Sequence, residues 1–211
     1  MVGKTAVLIG LGKSGLGEAL IRRFHSEGFQ IILLGRNESK LKKCMETFKH
    51  KGINIKYRIA DLSDSSSISG AFDSINNVDV LIYNAVARRI ENAKNLTREH
   101  AEYDFSITVG GAISCVREAV PKMKEHSAIL VTGGGVALTP SVQNSSMSLS
   151  KAALRNYVFS LGTELQEQGI FVGIVTIQQL IKEATKYSPE KIATLYWDLY
   201  KNQSNQQEII Y

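Results

Sequence analysis

The run Gly10-Leu11-Gly12-Lys13-Ser14-Gly15-Leu16-Gly17 holds four glycines at a spacing that can do chemistry on an anion. Glycine carries no side chain, so the chain can turn tightly and bring its backbone N–H groups against a phosphate. A helix opening at that point adds the positive end of its dipole. The run directly follows the apolar stretch Thr5–Gly10 and opens the amphipathic segment Gly15–Glu27. Strand, glycine turn and helix together are the context that a dinucleotide fingerprint requires. Gly10, Gly12, Lys13, Ser14, Gly15 and Leu16 are therefore candidate pyrophosphate contacts. A glycine-rich turn with no ligand is the plainer alternative.

A second apolar run ends Leu33-Leu34-Gly35-Arg36-Asn37. An acid near this point takes the ribose 2′-hydroxyl of NAD, but positions 35 to 37 hold none, and Glu38 lies one step into the next helix. Arg36 instead presents a guanidinium fork suited to a 2′-phosphate. Lys13 adds charge from the glycine turn. The expected cofactor is NADP(H), unless Arg36 and Lys13 are simply solvated surface residues.

These groups need a scaffold, and the pattern around them supplies one. Thr5–Gly10, Gln30–Gly35, Asn54–Ala60, Val78–Tyr83, Ala128–Thr132 and Gly169–Thr176 read as strands, several of them apolar at consecutive positions. That is the pattern of a parallel sheet covered by helices on both faces. Between them Gly15–Glu27, Ser39–Lys49, Ser65–Ile75, Arg98–Lys124 and Ser148–Gln168 are long enough for crossover helices. The repeated β-α order predicts an α/β fold: a doubly wound, Rossmann-like parallel sheet sandwiched between helices. We expect one dinucleotide-binding domain over residues 1–211, with 178–211 adding a short C-terminal helix and an edge strand at Glu208–Tyr211.

Composition bounds the remaining classes. A chain of 211 residues that is 44% hydrophobic and 21% charged can bury a core. The net charge of +5 is small and dispersed. The basic run Lys40, Lys42, Lys43, Lys49, His50 and Lys51 is interrupted by Glu46 and reads as a solvated helix face rather than a nucleic-acid surface. Cys44 and Cys115 are too few for a disulfide scaffold or a thiolate zinc site, and His25, His50, His100 and His126 form no metal-spaced pair, so no metal is expected. No stretch approaches the roughly 20 apolar residues of a membrane span, and the apolar opening is broken by glycines and Lys13 as no signal peptide is. A cytoplasmic setting follows as the default.

Further along, the third strand ends Ala60-Asp61-Leu62 and the fourth Tyr83-Asn84-Ala85-Val86, while Lys151-Ala-Ala-Leu154 opens a long helix. In this order, these segments resemble the short-chain dehydrogenase/reductase family from about residue 3 to 180. The resemblance implies that Asp61 and Leu62 face the adenine, that Asn84 and Ala85 border the cofactor, and that Lys151 binds the nicotinamide ribose. It also implies an oxidoreductase that takes a small-molecule substrate.

The same resemblance exposes a departure. The family's proton-transfer Tyr falls four residues before Lys151, where this chain has Met147. Its Ser falls at Gly134, and its relay Asn at Thr108. A thioether neither donates nor accepts the proton that acid–base catalysis needs. Lys151 is the one catalytic candidate left, with Tyr83, Tyr103 and Tyr157 as tyrosines that the fold would have to bring in from elsewhere. Ser146 and Ser148 lie beside the Tyr position, and a serine there also suits a helix N-cap.

Three readings stand on the sequence. The first is an NADP(H)-dependent oxidoreductase with a non-standard or degenerate site. The second is a catalytically inactive NADP(H)-binding sensor or regulatory protein. The third is a fold that binds no dinucleotide and acts through its surface. The segments Arg98–Lys124 and Ser148–Gln168 carry apolar residues on more than one face, including Ile113, Val116, Val158 and Phe159. Cover by a second subunit, in a homodimer or homotetramer, explains this, and so does one large core. Ile192, Leu195 and Leu199 fall at helical spacing, with Tyr196, Trp197 and Tyr200 among them, and read as the packing face of a terminal helix or the mouth of a pocket.

Overall fold

Successive apolar residues of each strand point to opposite faces, and here both faces are dry. In β1 (Thr5–Ile9), Val7 and Ile9 enter one buried cluster while Ala6 and Leu8 enter another. The computed structural model describes residues 3–203 and 206–211. Its sheet adds β2 (Gln30–Gly35), β3 (Ile55–Ile59), β4 (Val80–Tyr83), β5 (Ala128–Thr132), β6 (Phe171–Thr176) and β7 (Glu208–Ile210). All pairings are parallel, in the order β3-β2-β1-β4-β5-β6-β7.

Helices α1 (Leu16–Ser26), α2 (Glu38–Lys49) and α7 (Pro189–Asn202) cover one face. Helices α3 (Ser65–Phe72), α5 (Gly111–Ala119) and α6 (Ser145–Leu165) cover the other, and α4 (Arg98–Phe105) precedes α5. This is a doubly wound Rossmann-like domain. The starts of several helices are written locally: the side chains of Asn37, Asp64 and Thr97 accept from the backbone N–H groups of Lys40, Ser66 and His100. The terminal strand β7 joins the sheet edge through Ile174↔Glu208 and Thr176↔Ile210. Ile192, Tyr196 and Leu199 turn inward on α7, while Phe24, Phe29, Trp197 and Tyr200 pack edge to face around it.

Two expected helices come out differently. The segment expected as one helix over Arg98–Lys124 is broken into α4, a π-helical turn at Ser106–Gly110, α5 and a 3-10 turn at Val120–Lys122. The buried Tyr83 hydroxyl donates to the Ile107 carbonyl at 2.5 Å, and Gly111 packs so closely that a side chain there would lie 2.6 Å from that hydroxyl. The wider turn accommodates this contact with the end of β4.

The second, α6, starts at Ser145 rather than Ser148, so Ser146 and Ser148 are inside it and neither caps it. The Ser145 N–H donates instead to the Glu91 carbonyl at 3.2 Å, across a backbone bridge between Glu91 and Asn144. Among the described residues, no helix is long and apolar enough to cross a membrane, and no cluster of three or more His, Cys, Asp or Glu residues is arranged for a metal.

Candidate cofactor and active site

The strand order reverses between β1 and β4, which opens a crevice at their C-terminal ends. Gly10 leaves β1 with φ 83° and lies against Ala85 at the end of β4; a side chain on Gly10 would meet the Ala85 backbone at 3.0 Å. That left-handed backbone and that contact both require glycine. Gly12 and Gly15 also have positive φ, and Gly15 is the N-cap of α1, with no side-chain cap. Gly17 allows the helix to close on the turn, since a side chain there would lie 2.2 Å from the Leu11 carbonyl oxygen. Lys13 is exposed beside them, Ser14 is half-buried, and the Leu16 side chain points into the core, leaving only its backbone to the crevice.

Around this turn the remaining candidates converge. Asn84 is buried at the end of β4. Its Nδ2 donates to the Gly10 carbonyl at 2.9 Å, and its Oδ1 accepts from the Thr132 hydroxyl at 2.9 Å. Arg36, at the end of β2, is exposed and donates to the Tyr103 hydroxyl at 3.2 Å. The Asp61 carboxylate accepts from the backbone N–H and the hydroxyl of Ser63, which hold it below the usual carboxylate range. Leu62 lies half-buried against Gly111.

On the α6 side Lys151 is fully buried, and its Nζ donates to the Thr132 carbonyl at 2.5 Å. Burial, with the nearby Arg88 charge second, pulls its pKa down to about 7. Met147 is half-buried one turn earlier. Gly134 has an extended backbone, and a side chain built there would lie 4.0 Å from the Lys151 Cγ. Thr108 is buried, its Oγ1 accepting from the Ala87 N–H at 3.1 Å. The Ser146 hydroxyl is buried with no hydrogen-bond partner among the described residues.

Of the three tyrosines left open by the sequence, one meets a candidate cofactor residue. Tyr83 is committed to Ile107, Tyr157 is packed half-buried against the core, and Tyr103 reaches Arg36. The tyrosine that enters the network is Tyr196. From α7 its buried hydroxyl donates to Thr132 Oγ1 at 2.6 Å, and burial pushes its pKa up. By sequence Tyr196 reads only as packing or a pocket mouth, and Glu183 is not singled out: the Glu183 Oε1 lies 3.9 Å, and the Pro189 Cγ 3.2 Å, from where a Gly15 side chain would begin. The inward spacing of Ile192, Tyr196 and Leu199 was a usable signal for Tyr196. Nothing local marked Glu183.

Residues 4–191 match the short chain dehydrogenase family. The chain belongs to that family. Among curated members, the oxidoreductase asL5 of Sarocladium schorii is 26% identical over 88% of this chain and 76% of its own. The 2,3-dihydro-2,3-dihydroxybenzoate dehydrogenase of Bacillus subtilis is 27% identical over 99% of this chain and 77% of its own. A short chain dehydrogenase from Burkholderia cenocepacia, solved in complex with NADP, superposes with a TM-score of 0.87 at 20% identity, over 98% of this chain and 95% of its own. A dehydrogenase/reductase from Sinorhizobium meliloti gives 0.88 at 21% identity, over 100% of this chain and 94% of its own. This short chain dehydrogenase is thus an oxidoreductase by family, and its catalytic residues must be argued from its own site.

Proposed function

We propose that this family member binds NADP(H) in the crevice between β1 and β4 and acts as an oxidoreductase whose proton is handled without the family's tyrosine and serine. The observation that carries the cofactor reading is the pairing of an uncapped α1 N-terminus with Arg36 at the end of β2 and no acid at positions 35 to 37. The residues fit the group: side chains are absent at Gly10, Gly12 and Gly15, where a pyrophosphate must approach the backbone, and Arg36 is exposed for a 2′-phosphate. Asp61 and Leu62 border the adenine side, Asn84 and Ala85 the middle of the crevice, and Lys151 the nicotinamide side.

When bound, the nicotinamide supplies or accepts hydride. The chain's own contribution is placement and proton handling. Lys151 Nζ, held by the Thr132 carbonyl, is poised near neutrality to hold or release a proton, and Thr132 is itself fixed by Asn84 and Tyr196. Met147 and Gly134 contribute no titratable group beside it. The substrate is a small molecule of unassigned identity. Exposed Phe105, Ile113 and Leu149 on α4, α5 and α6 support assembly into a homodimer or homotetramer, and the two free, buried cysteines suit the reducing cytoplasm.

The test is calorimetric titration of the purified chain with NADPH and NADH, repeated on Arg36→Ala. Micromolar NADPH binding that weakens selectively in the variant supports the reading. Binding of neither nucleotide overturns it. NADPH binding without turnover across a panel of carbonyl and enone substrates would favour the sensor instead.

A further inference from the structure

Arg36 already has one partner on the far side of the crevice. Its Nη1 donates to the hydroxyl of Tyr103, 67 residues away in the chain, at 3.2 Å. The Tyr103 side chain stands on α4 and is 46% exposed. Its place is set by its neighbours. Asp104, the next residue, is turned inward to a salt bridge with Arg89 at 3.1 Å, Ser106 Oγ donates to the Tyr103 carbonyl at 2.8 Å, and Thr97 caps the helix. Among the described residues the acid whose charge bears on Arg36 is Asp61, and its carboxylate is engaged by both the N–H and the hydroxyl of Ser63.

A phenol that accepts from a guanidinium keeps its own hydrogen to donate. We infer that Tyr103 is a specificity-determining residue of the cofactor site, its hydroxyl acting with the Arg36 guanidinium as a two-sided clamp on a ribose 2′-phosphate. In this arrangement the phosphate oxygens accept from Arg36 N–H groups and from the Tyr103 O–H, and the bond between the two residues orients both before the ligand arrives. The inference rests on the NADP(H) reading above and extends it to a residue on α4 that lies outside the glycine turn and the strand ends.

The experiment measures Kd for NADPH, NADH, 2′,5′-ADP and 5′-AMP on wild type, Tyr103→Phe, Arg36→Ala and the double variant. Tyr103→Phe keeps the ring and removes only the hydroxyl, and its exposed position keeps the fold intact. Loss of one hydrogen bond to a charged group is expected to weaken NADPH and 2′,5′-ADP about five- to tenfold. NADH and 5′-AMP should be unchanged, and the effect should vanish in the Arg36→Ala background. An unchanged ratio of NADPH to NADH affinity in Tyr103→Phe, with wild type still preferring NADPH, overturns the role of Tyr103 alone. Equal weakening of all four ligands overturns it in favour of a hydroxyl contact to the adenosine that all four share. A wild-type protein without preference for the 2′-phosphate overturns the cofactor reading and this inference together.

Discussion

Lys151 and Asn84 are tied to the same residue from opposite sides of the sheet. Lys151 Nζ donates to the Thr132 carbonyl at 2.5 Å, and the Thr132 hydroxyl donates to Asn84 Oδ1 at 2.9 Å. Tyr196 completes the set from α7, and Asn84 passes the order on to the Gly10 carbonyl. A helix on each face, the end of β5, the end of β4 and the glycine turn are thereby held in one chain of directional bonds.

Stability should carry the signature of Lys151. Its folded pKa is lowered from 10.5 to about 7, so between those values the unfolded chain holds a proton that the folded chain lacks. Stability therefore rises with pH across that window as far as this residue is concerned. Lys151→Met removes the dependence. Urea unfolding is expected to show the variant gaining most over wild type at about pH 6, with the difference shrinking toward about pH 10. A difference that does not change with pH would contradict the burial of a group readily deprotonated.

Tyr196→Phe should cost about 0.5–1.5 kcal/mol, the net worth of a hydrogen bond, with the core otherwise unchanged. Thr132→Val should cost more, since it strips both the Tyr196 hydroxyl and Asn84 Oδ1 of their partner. Equilibrium denaturation of the two variants checks the order, and equal costs would show that the Asn84 arm contributes nothing.

The three consecutive glycines after β5 should differ sharply. A side chain at Gly133 would lie 2.6 Å from Thr176 Oγ1, and one at Gly135 2.8 Å from the Gln178 Cα, whereas one at Gly134 meets its nearest neighbour at 3.8 Å. Gly134→Ala should be neutral or stabilising by up to about 1 kcal/mol. Gly133→Ala and Gly135→Ala should each cost about 1–3 kcal/mol. Melting temperatures decide it, and a Gly134→Ala as damaging as its neighbours would refute the placement. The room at Gly134 also means that a serine can be introduced there without disturbing the fold.

Glu183→Gln should tighten dinucleotide binding. Its carboxylate sits beside Gly15 at the α1 N-terminus, where it would compete with the charge of the proposed pyrophosphate. A charge at a helix end is worth a few tenths to about 1 kcal/mol, so NADPH and NADH should both bind about two- to fivefold more tightly. Calorimetry at low salt is the check. Tightening of only one of the two would place Glu183 elsewhere than at the pyrophosphate.

Sequence alone determined the layers and their order. The consecutive apolar residues of Thr5–Ile9, Ala128–Thr132 and Phe171–Thr176 demand two covered faces, and the glycines from Gly10 to Gly17 mark the one turn that needs left-handed backbone beside a helix start. Those are local properties, fixed by side-chain period and backbone sterics. It also marked Arg36, because a charge at the end of a strand is legible without contacts, and Lys151 through the resemblance of its helix start to the family. Tertiary structure decided the rest. The π-helical turn at Ser106–Gly110 depends on Tyr83 reaching Ile107, and the α6 start depends on Glu91 meeting Asn144. The arrival of Tyr103 at Arg36, and of Tyr196 at Thr132, joins residues 67 and 64 positions apart. Such pairings arise only when helices pack on the sheet, since hydrogen bonds between distant residues leave no periodicity in the chain that makes them.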